Sequence, residues 1–313
     1  MEDRSIGIDI GGSNIRAAVC DRSGGERLYL IEPILGHRAE DLLAQIDSLL
    51  QRCITAAGGP VPIGVAIPAP VNPHDGTHGT VFNVAALNQM DLCAELRRRH
   101  GVRVVADNDA NAAALAQVRH GRHQGVRNLV YVTVSTSIGA GVIASGRLVH
   151  GVLGGAGEFG HTSVSMNDVQ CYECKCNHGC VTSFASGTGL VWRADRLRAS
   201  GGLPAGSPLQ RDPLTAADIA RAVADGDPHA TALITQAALA LGTATVTLVH
   251  LLNPEVIAFG GSVIQNIDTL WEQFVHITTG RCMPQLAGSF RLERVPEGDK
   301  VGVIGASALV WEA

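Results

Sequence analysis

Five short runs of this sequence hold side chains able to do chemistry. The most concentrated is Asp107-Asn108-Asp109-Ala110-Asn111, between the Val-rich residues 102–105 and an Ala-rich stretch. Asp and Asn cap helix N-termini well, and that role alone could explain one or two of these residues. Four polar residues in five exceed what a cap needs. A carboxylate at a strand-to-helix junction, beside an amide, suits a general base acting on a hydroxyl. Asp109 is therefore the candidate base and Asn108 a candidate hydroxyl ligand.

Three further runs are turns of small residues. Asp9-Ile10-Gly11-Gly12-Ser13-Asn14 puts a carboxylate at the end of an apolar run, then two glycines and a hydroxyl. Glycines let backbone N–H groups approach phosphate oxygens, the hydroxyl adds a donor, and the carboxylate can orient Mg²⁺ or its water. A plain Gly-Gly hairpin turn would leave the same trace. Ser135-Thr136-Ser137-Ile138-Gly139-Ala140-Gly141 holds the matching place in the second half of the chain. Two such turns facing each other could clamp a polyphosphate, although hydroxyls also end ordinary strands. Ile257-Ala258-Phe259-Gly260-Gly261-Ser262 ends an apolar strand in two glycines, where adenine or ribose could lie against bare backbone. Close helix–strand packing is the competing explanation.

The fifth run is Glu158-Phe159-Gly160-His161, followed by Cys171, Cys174, Cys176 and Cys180. One His and several Cys at this spacing suit a structural zinc ion with tetrahedral S₃N ligation. Five candidates compete for four positions, and reduced buried thiols are the alternative.

The elements that must position these runs follow from periodicity. Residues 5–19 read as strand, glycine turn, strand; 41–57 as a helix through Leu42, Ile46, Leu49, Leu50 and Ile54; 61–67 as a strand; 72–88 as a loop. Residues 91–100 are helical, 102–105 form a short buried strand, and 110–118 begin a helix. The pattern then repeats: strands at 129–134, 142–144 and 147–150, a Gly/Cys loop at 151–180, and mostly helix from 185 to 252. A strand at 256–259, a helix at 263–280, an extended run at 290–295 and a helix at 302–312 complete it. Two similar α/β halves imply two domains with a cleft between them. The expected bounds are 1–112 with 297–313, and 113–296 including a metal loop at 158–182.

Composition narrows the class. The 313 residues are 46% hydrophobic and 17% charged, as in a globular enzyme, and only 4% aromatic, so Ala, Val, Leu and Ile must build the core. A net charge of -5 without a basic face argues against a nucleic-acid partner. The basic run 97–100 reads as the solvated end of a surface helix. The acidic start lacks a secretory apolar region. The apolar stretch 236–250 is shorter than a membrane span and reads as a buried helix. A cytoplasmic location without membrane association is expected. Eight cysteines, four of them clustered, point to metal rather than disulfides.

Taken together, these runs resemble the ROK family (repressor, open reading frame, kinase) of bacterial sugar kinases, along essentially the whole chain. That family's pattern is Asp-x-Gly-Gly-Thr, then Asn-Asp-Ala-Asn, Gly-Thr-Gly-x-Gly, Glu-x-Gly-His with Cys-x-Cys-Gly-x-x-Gly-Cys-x-Glu, and a late Gly-Gly. The resemblance implies an α/β, two-domain actin/hexokinase-like fold with nucleotide and sugar in the cleft. It implies ATP-dependent phosphorylation of a primary hydroxyl, the 6-position of a glucose-like hexose or amino-hexose, with Asp109 as base. Asn83, Asn108, Asp109, Glu158 and His161 match sugar ligands. Asp9, Gly11, Gly12, Ser13, Asn14, Ser135, Thr136, Ser137, Gly139, Gly260 and Gly261 match nucleotide contacts. His161, Cys174, Cys176 and Cys180 match zinc ligands, with Cys171 as the alternative thiolate. ATP, Mg²⁺ and zinc are the implied cofactors, and a homodimer the implied assembly.

The chain departs from the family pattern in four places, one of them Ala69, which stands where Gly is frequent. Ser135 and Ser137 stand where glycines are usual, and the Cys run is one residue short. Thr182 stands where the family carries Glu, so a wider and less anionic pocket end is expected there. A C7-cyclitol kinase of secondary metabolism and a sugar-sensing pseudokinase are therefore kept as alternatives. A repressor would need a preceding DNA-binding segment, and this chain enters its first strand by residue 6.

Overall fold

Ile6, Ile8 and Ile10 alternate with smaller residues and form the first strand, β1 (Arg4–Ile10). The computed structural model describes residues 3–36, 38–166, 169–296 and 300–312. A tight turn joins β1 to β2 (Asn14–Asp21), followed by β3 (Glu26–Pro33), α1 (Ala39–Ala57), β4 (Ile63–Ile67), α2 (Leu92–His100), β5 (Val104–Asn108) and α3 (Asp109–Arg119). Then come β6 (Leu129–Val134), β7 (Ile138–Ala144), β8 (Arg147–Leu148), α4 (Thr182–Ala185), α5 (Gly187–Ala199), α6 (Ala216–Ala224) and α7 (Pro228–Leu252). The chain closes with β9 (Val256–Gly260), α8 (Ser262–Asn266), α9 (Asp268–Arg281), β10 (Arg291–Arg294) and α10 (Val301–Leu309).

Among the described residues two five-stranded sheets result, in the orders β3-β2-β1-β4-β5 and β10-β9-β6-β7-β8. In the first, β1–β2 and β2–β3 are antiparallel, while β1–β4 and β4–β5 are parallel. Leu42, Ile46, Leu49, Leu50 and Cys53 of α1 pack with Ile6, Ile8, Ile10, Ile63, Val65 and Ile67. Ala66, Ala112 and Ala306 form a separate small cluster with α3 and α10. There the packing is backbone on backbone: a Cβ at Gly64 would stand 1.7 Å from the Ala306 carbonyl oxygen, and one at Gly305 1.9 Å from that of Ala112.

The chain divides into two compact units. One comprises Met1–Tyr131, Gly141–Gly157 and Gly298–Ala313; the other comprises Val132–Ala140 and Glu158–Glu297. The boundary expected at 112–113 differs from this division, which keeps α3 whole because Ala112 and Gly305 bind α3 to α10. The boundary expected at 297 lies outside the described residues. In the second unit, α7 packs against α4, α6 and α9, with Ala237, Ala238, Leu241, Ala244 and Val249 buried. By length and composition alone it could cross a membrane, but more than half of its most apolar window is buried in the protein. The single helix expected over 263–280 breaks at Ile267, where the Asn266 side-chain amide folds back on the Ser262 carbonyl at 2.7 Å and closes α8. Residues 85–89, expected as loop, form a 3-10 turn.

Gly64→Ala is expected to destabilise the protein by about 3 kcal/mol, since neither backbone can retreat without opening the sheet. Urea unfolding followed by circular dichroism measures this, and a loss under 0.5 kcal/mol would refute the backbone contact.

Candidate functional site

In the first unit the site residues collect at the carboxyl ends of β1, β4 and β5, where open α/β sheets place ligands. Asp9 and Asp107 both pair in register with Ala66 of β4, so the two carboxylates stand at one level of the sheet. Asp9 is largely buried, 3.5 Å from the Arg16 guanidinium. Burial raises its pKa, and Arg16 opposes that shift. Gly11, Gly12 and Ser13 form the following turn, closed by the Gly11 N–H donating to the Asn14 carbonyl at 3.0 Å. A Cβ at Gly12 would stand 3.4 Å from the Asn83 Cβ, so the expected phosphate turn and the expected sugar residue Asn83 are neighbours.

The β5–α3 junction is tied by side chains. Asn108 is the N-cap of α3: its Oδ1 accepts from the Ala110 N–H at 2.9 Å and the Asn111 N–H at 3.3 Å. Its Nδ2 donates to the Ala69 carbonyl at 3.3 Å. Asp109 follows as the first residue of α3, half-buried, with its Oδ1 accepting from the Ala110 N–H at 2.8 Å. The capping role and the candidate-ligand role of Asn108 thus reside in one side chain, with part of its amide still able to donate.

In the second unit, Ser135, Thr136 and Ser137 turn between β6 and β7 and meet the start of α5. The Gly187 N–H donates to the Ser135 carbonyl at 2.7 Å, and the Ser135 and Ser262 hydroxyls are 3.2 Å apart. Gly261 has φ 103°, and a Cβ there would stand 2.2 Å from the Val134 carbonyl oxygen. Only glycine fits. The expected phosphate turn 135–139 and the Gly260-Gly261 turn are therefore adjacent.

Thr182 corrects an expectation. It is fully buried, and its hydroxyl donates to Glu173 Oε2 at 3.0 Å. The other oxygen of Glu173 accepts from the Ser137 hydroxyl at 2.5 Å. The surroundings of Thr182 are thus not less anionic: a carboxylate from the Cys loop lies beside its hydroxyl. Glu158 lies close enough for Glu173 to raise its pKa, after burial, which is the larger cause; His161 lowers it. The His161 Nε2 is 3.9 Å from Glu158 Oε2. The sequence signal for Glu173 was only its place in Tyr172-Glu173-Cys174, between two cysteines.

His161, Cys171, Cys174 and Cys180 bring their ligand atoms within 4.8 Å of one another. Cys176, expected as a ligand, is exposed and lies outside this group; Cys171, fully buried, takes its place. The Cys171 N–H donates to the Asn177 carbonyl at 2.8 Å, closing the loop that carries Cys174 and Cys176. The His161 Nδ1 is buried and has no hydrogen-bond partner among the described residues, as a nitrogen reserved for a metal would be. Burial, then the neighbouring Cys171 and Cys174, push the Cys180 thiol up. Three thiols and one imidazole at this spacing suit a tetrahedral zinc ion.

The ROK family model matches residues 5–313, and the chain belongs to the ROK family. It is 29% identical over 324 residues to a glucokinase of Halalkalibacterium halodurans, covering 99% of this chain and 96% of that one. Its structure matches a ROK hexokinase from Thermus thermophilus with TM-score 0.83 and 29% identity, covering 97% of each chain. It matches a ROK glucokinase from Streptomyces griseus, solved with glucose and AMPPNP, with TM-score 0.74 and 26% identity over 98% of each chain. The fold is the two-domain α/β fold of ROK sugar kinases.

Cys171→Ser is expected to abolish stoichiometric metal binding and lower Tm, while Cys176→Ser leaves metal content at one ion per chain. Elemental analysis of the two purified variants decides it. Equal metal loss in both would refute the assignment of Cys171.

Proposed function

We propose that this protein is an ATP-dependent sugar kinase that phosphorylates the primary, 6-position hydroxyl of a glucose-like hexose or amino-hexose. The observation that carries this reading is the β5–α3 junction, where Asn108 caps the helix and presents Asp109 as its first residue, in a chain of the ROK family. Asp109 accepts the proton as the sugar oxygen forms its bond to the γ-phosphorus. The bond from that phosphorus to the bridging oxygen breaks, and ADP leaves. Positioning and charge neutralisation supply most of the rate enhancement. Mg²⁺, held near Asp9, would neutralise charge on the phosphates.

Asn83, Asn108, Glu158 and His161 hold sugar hydroxyls in this reading. Gly11, Gly12, Ser13 and Asn14 meet the phosphates from one turn. The Ser137 hydroxyl is engaged by Glu173, so phosphate contacts from the other turn fall to its backbone N–H groups and to Thr136. Gly260 and Gly261 leave room for the nucleoside. His161, Cys171, Cys174 and Cys180 would hold a zinc ion that fixes the loop carrying Glu173, and with four protein ligands it would take no part in the transfer. The cyclitol alternative was motivated by a missing carboxylate at position 182. Glu173 supplies one, which favours the hexose reading. A cytoplasmic homodimer is the assembly that the resemblance implies.

A coupled ADP-release assay over hexoses, amino sugars and cyclitols tests the reading. Asp109→Asn is expected to lower kcat by about 10²- to 10⁴-fold, the range for a lost general base, and turnover within tenfold of wild type would remove Asp109 from that role. Glu173→Gln is expected to raise the sugar KM roughly tenfold, as for the loss of one charged hydrogen bond. A sugar KM within twofold of wild type would place Glu173 outside the sugar site.

A further inference from the structure

Asp107 is a buried carboxylate with no step in the proposed transfer. Its side chain is 5% exposed. One oxygen accepts from the Asn108 backbone N–H at 2.7 Å and from the Asn111 side-chain amide at 2.8 Å. The other is 2.7 Å from His150 Nε2. A buried carboxylate requires donors and a countercharge, and here the countercharge comes from 43 residues away. His150 in turn anchors the loop that follows β8. Its carbonyl accepts from the Ala156 N–H at 3.0 Å. Within that loop Gly154 lies against residue 71, where a Cβ would stand 1.8 Å from the Val71 carbonyl oxygen.

We propose that His150 is a positioning residue for the phosphoryl transfer: its imidazole fixes Asp107, and Asp107 fixes the first turn of α3 that carries Asn108 and Asp109. The proposal rests on the sugar-kinase reading above. It departs from a merely structural cross-link in one respect, because the link is charged. Asp107, on β5, is the charged group acting on the imidazole; Ala156, on the histidine's own loop, contributes only a backbone N–H. The hydrogen bond to Asp107 holds the imidazole pKa above the ordinary histidine value, with burial opposing it. A raised folded-state pKa means that the charged link is complete below the ordinary value. It weakens as pH rises through the raised one. Turnover should therefore fall on that alkaline side as the first turn of α3 loosens.

The test compares His150→Gln and His150→Ala with wild type in the ADP-release assay across pH. Glutamine keeps a neutral donor at every pH, so His150→Gln should retain activity but lose the alkaline limb. His150→Ala removes the donor, and kcat should fall on the order of 10- to 100-fold, as for a misplaced catalytic group. Hydrogen exchange at residues 108–111 in the same proteins reads the pinning with no turnover required, and it should accelerate in His150→Ala. An alkaline limb that survives in His150→Gln overturns the proposal, whatever the exchange shows. If the wild type phosphorylates no sugar, the kinase reading fails by itself. Unchanged exchange in His150→Ala would then overturn the positioning role as well. Should His150→Ala fail to fold, the pH profile of His150→Gln alone decides the matter.

Discussion

A carboxylate buried at the end of a parallel strand must find its hydrogen-bond donors close by, and Asp107 finds three. They come from the next residue's backbone, from the next turn of the following helix and from a histidine on a distant loop. Each of these partners is thereby constrained. The backbone bond sets the direction in which the chain leaves β5. Asn111 sets the rotation of α3, and with it the direction in which Asp109 projects. Asn108, freed from satisfying Asp107 through its side chain, can cap the helix and reach the Ala69 carbonyl. Asp109, the proposed base, is therefore held by a network whose other members have no proposed part in proton transfer, which is the arrangement a group of that role would require.

The Cys loop applies the same logic to the second unit. Cys171 and Cys174 flank Glu173 in sequence, and both belong to the metal-ligand group. A metal ion on those ligands would leave the intervening side chains little freedom. Glu173 then lies between the hydroxyls of Ser137 and Thr182. A serine that breaks the family's glycine pattern and a threonine that breaks its glutamate pattern thus share one carboxylate. The two departures compensate each other.

Much of the architecture was legible because burial imposes periodicity. The isoleucines of β1, the 3.6-residue spacing of α1 and the Val-rich β5 each report one buried face. The glycine turns were legible as well, since few other residues fit at Gly261. Less was visible where identity alone had to choose among equals. Four cysteines compete for three thiolate places; spacing left them open, and only the family resemblance favoured Cys176. The break at Ile267 was hidden because a side-chain amide, not a proline or glycine, closes α8.

What the sequence determined by itself was the class: two α/β halves, three small-residue turns, a carboxylate at a strand-to-helix junction and a Cys/His loop. These are local features, set by short-range spacing and by which side chains can carry a charge or ligate a metal. What only the tertiary structure decided was which distant residues complete each local feature. Cys171 replaced Cys176 in the candidate metal-ligand group, Glu173 put a carboxylate beside Thr182, and His150 joined Asp107. Each of these pairings satisfies a buried or partly buried polar group, and that need arises only when folding removes water and brings together residues far apart in the chain.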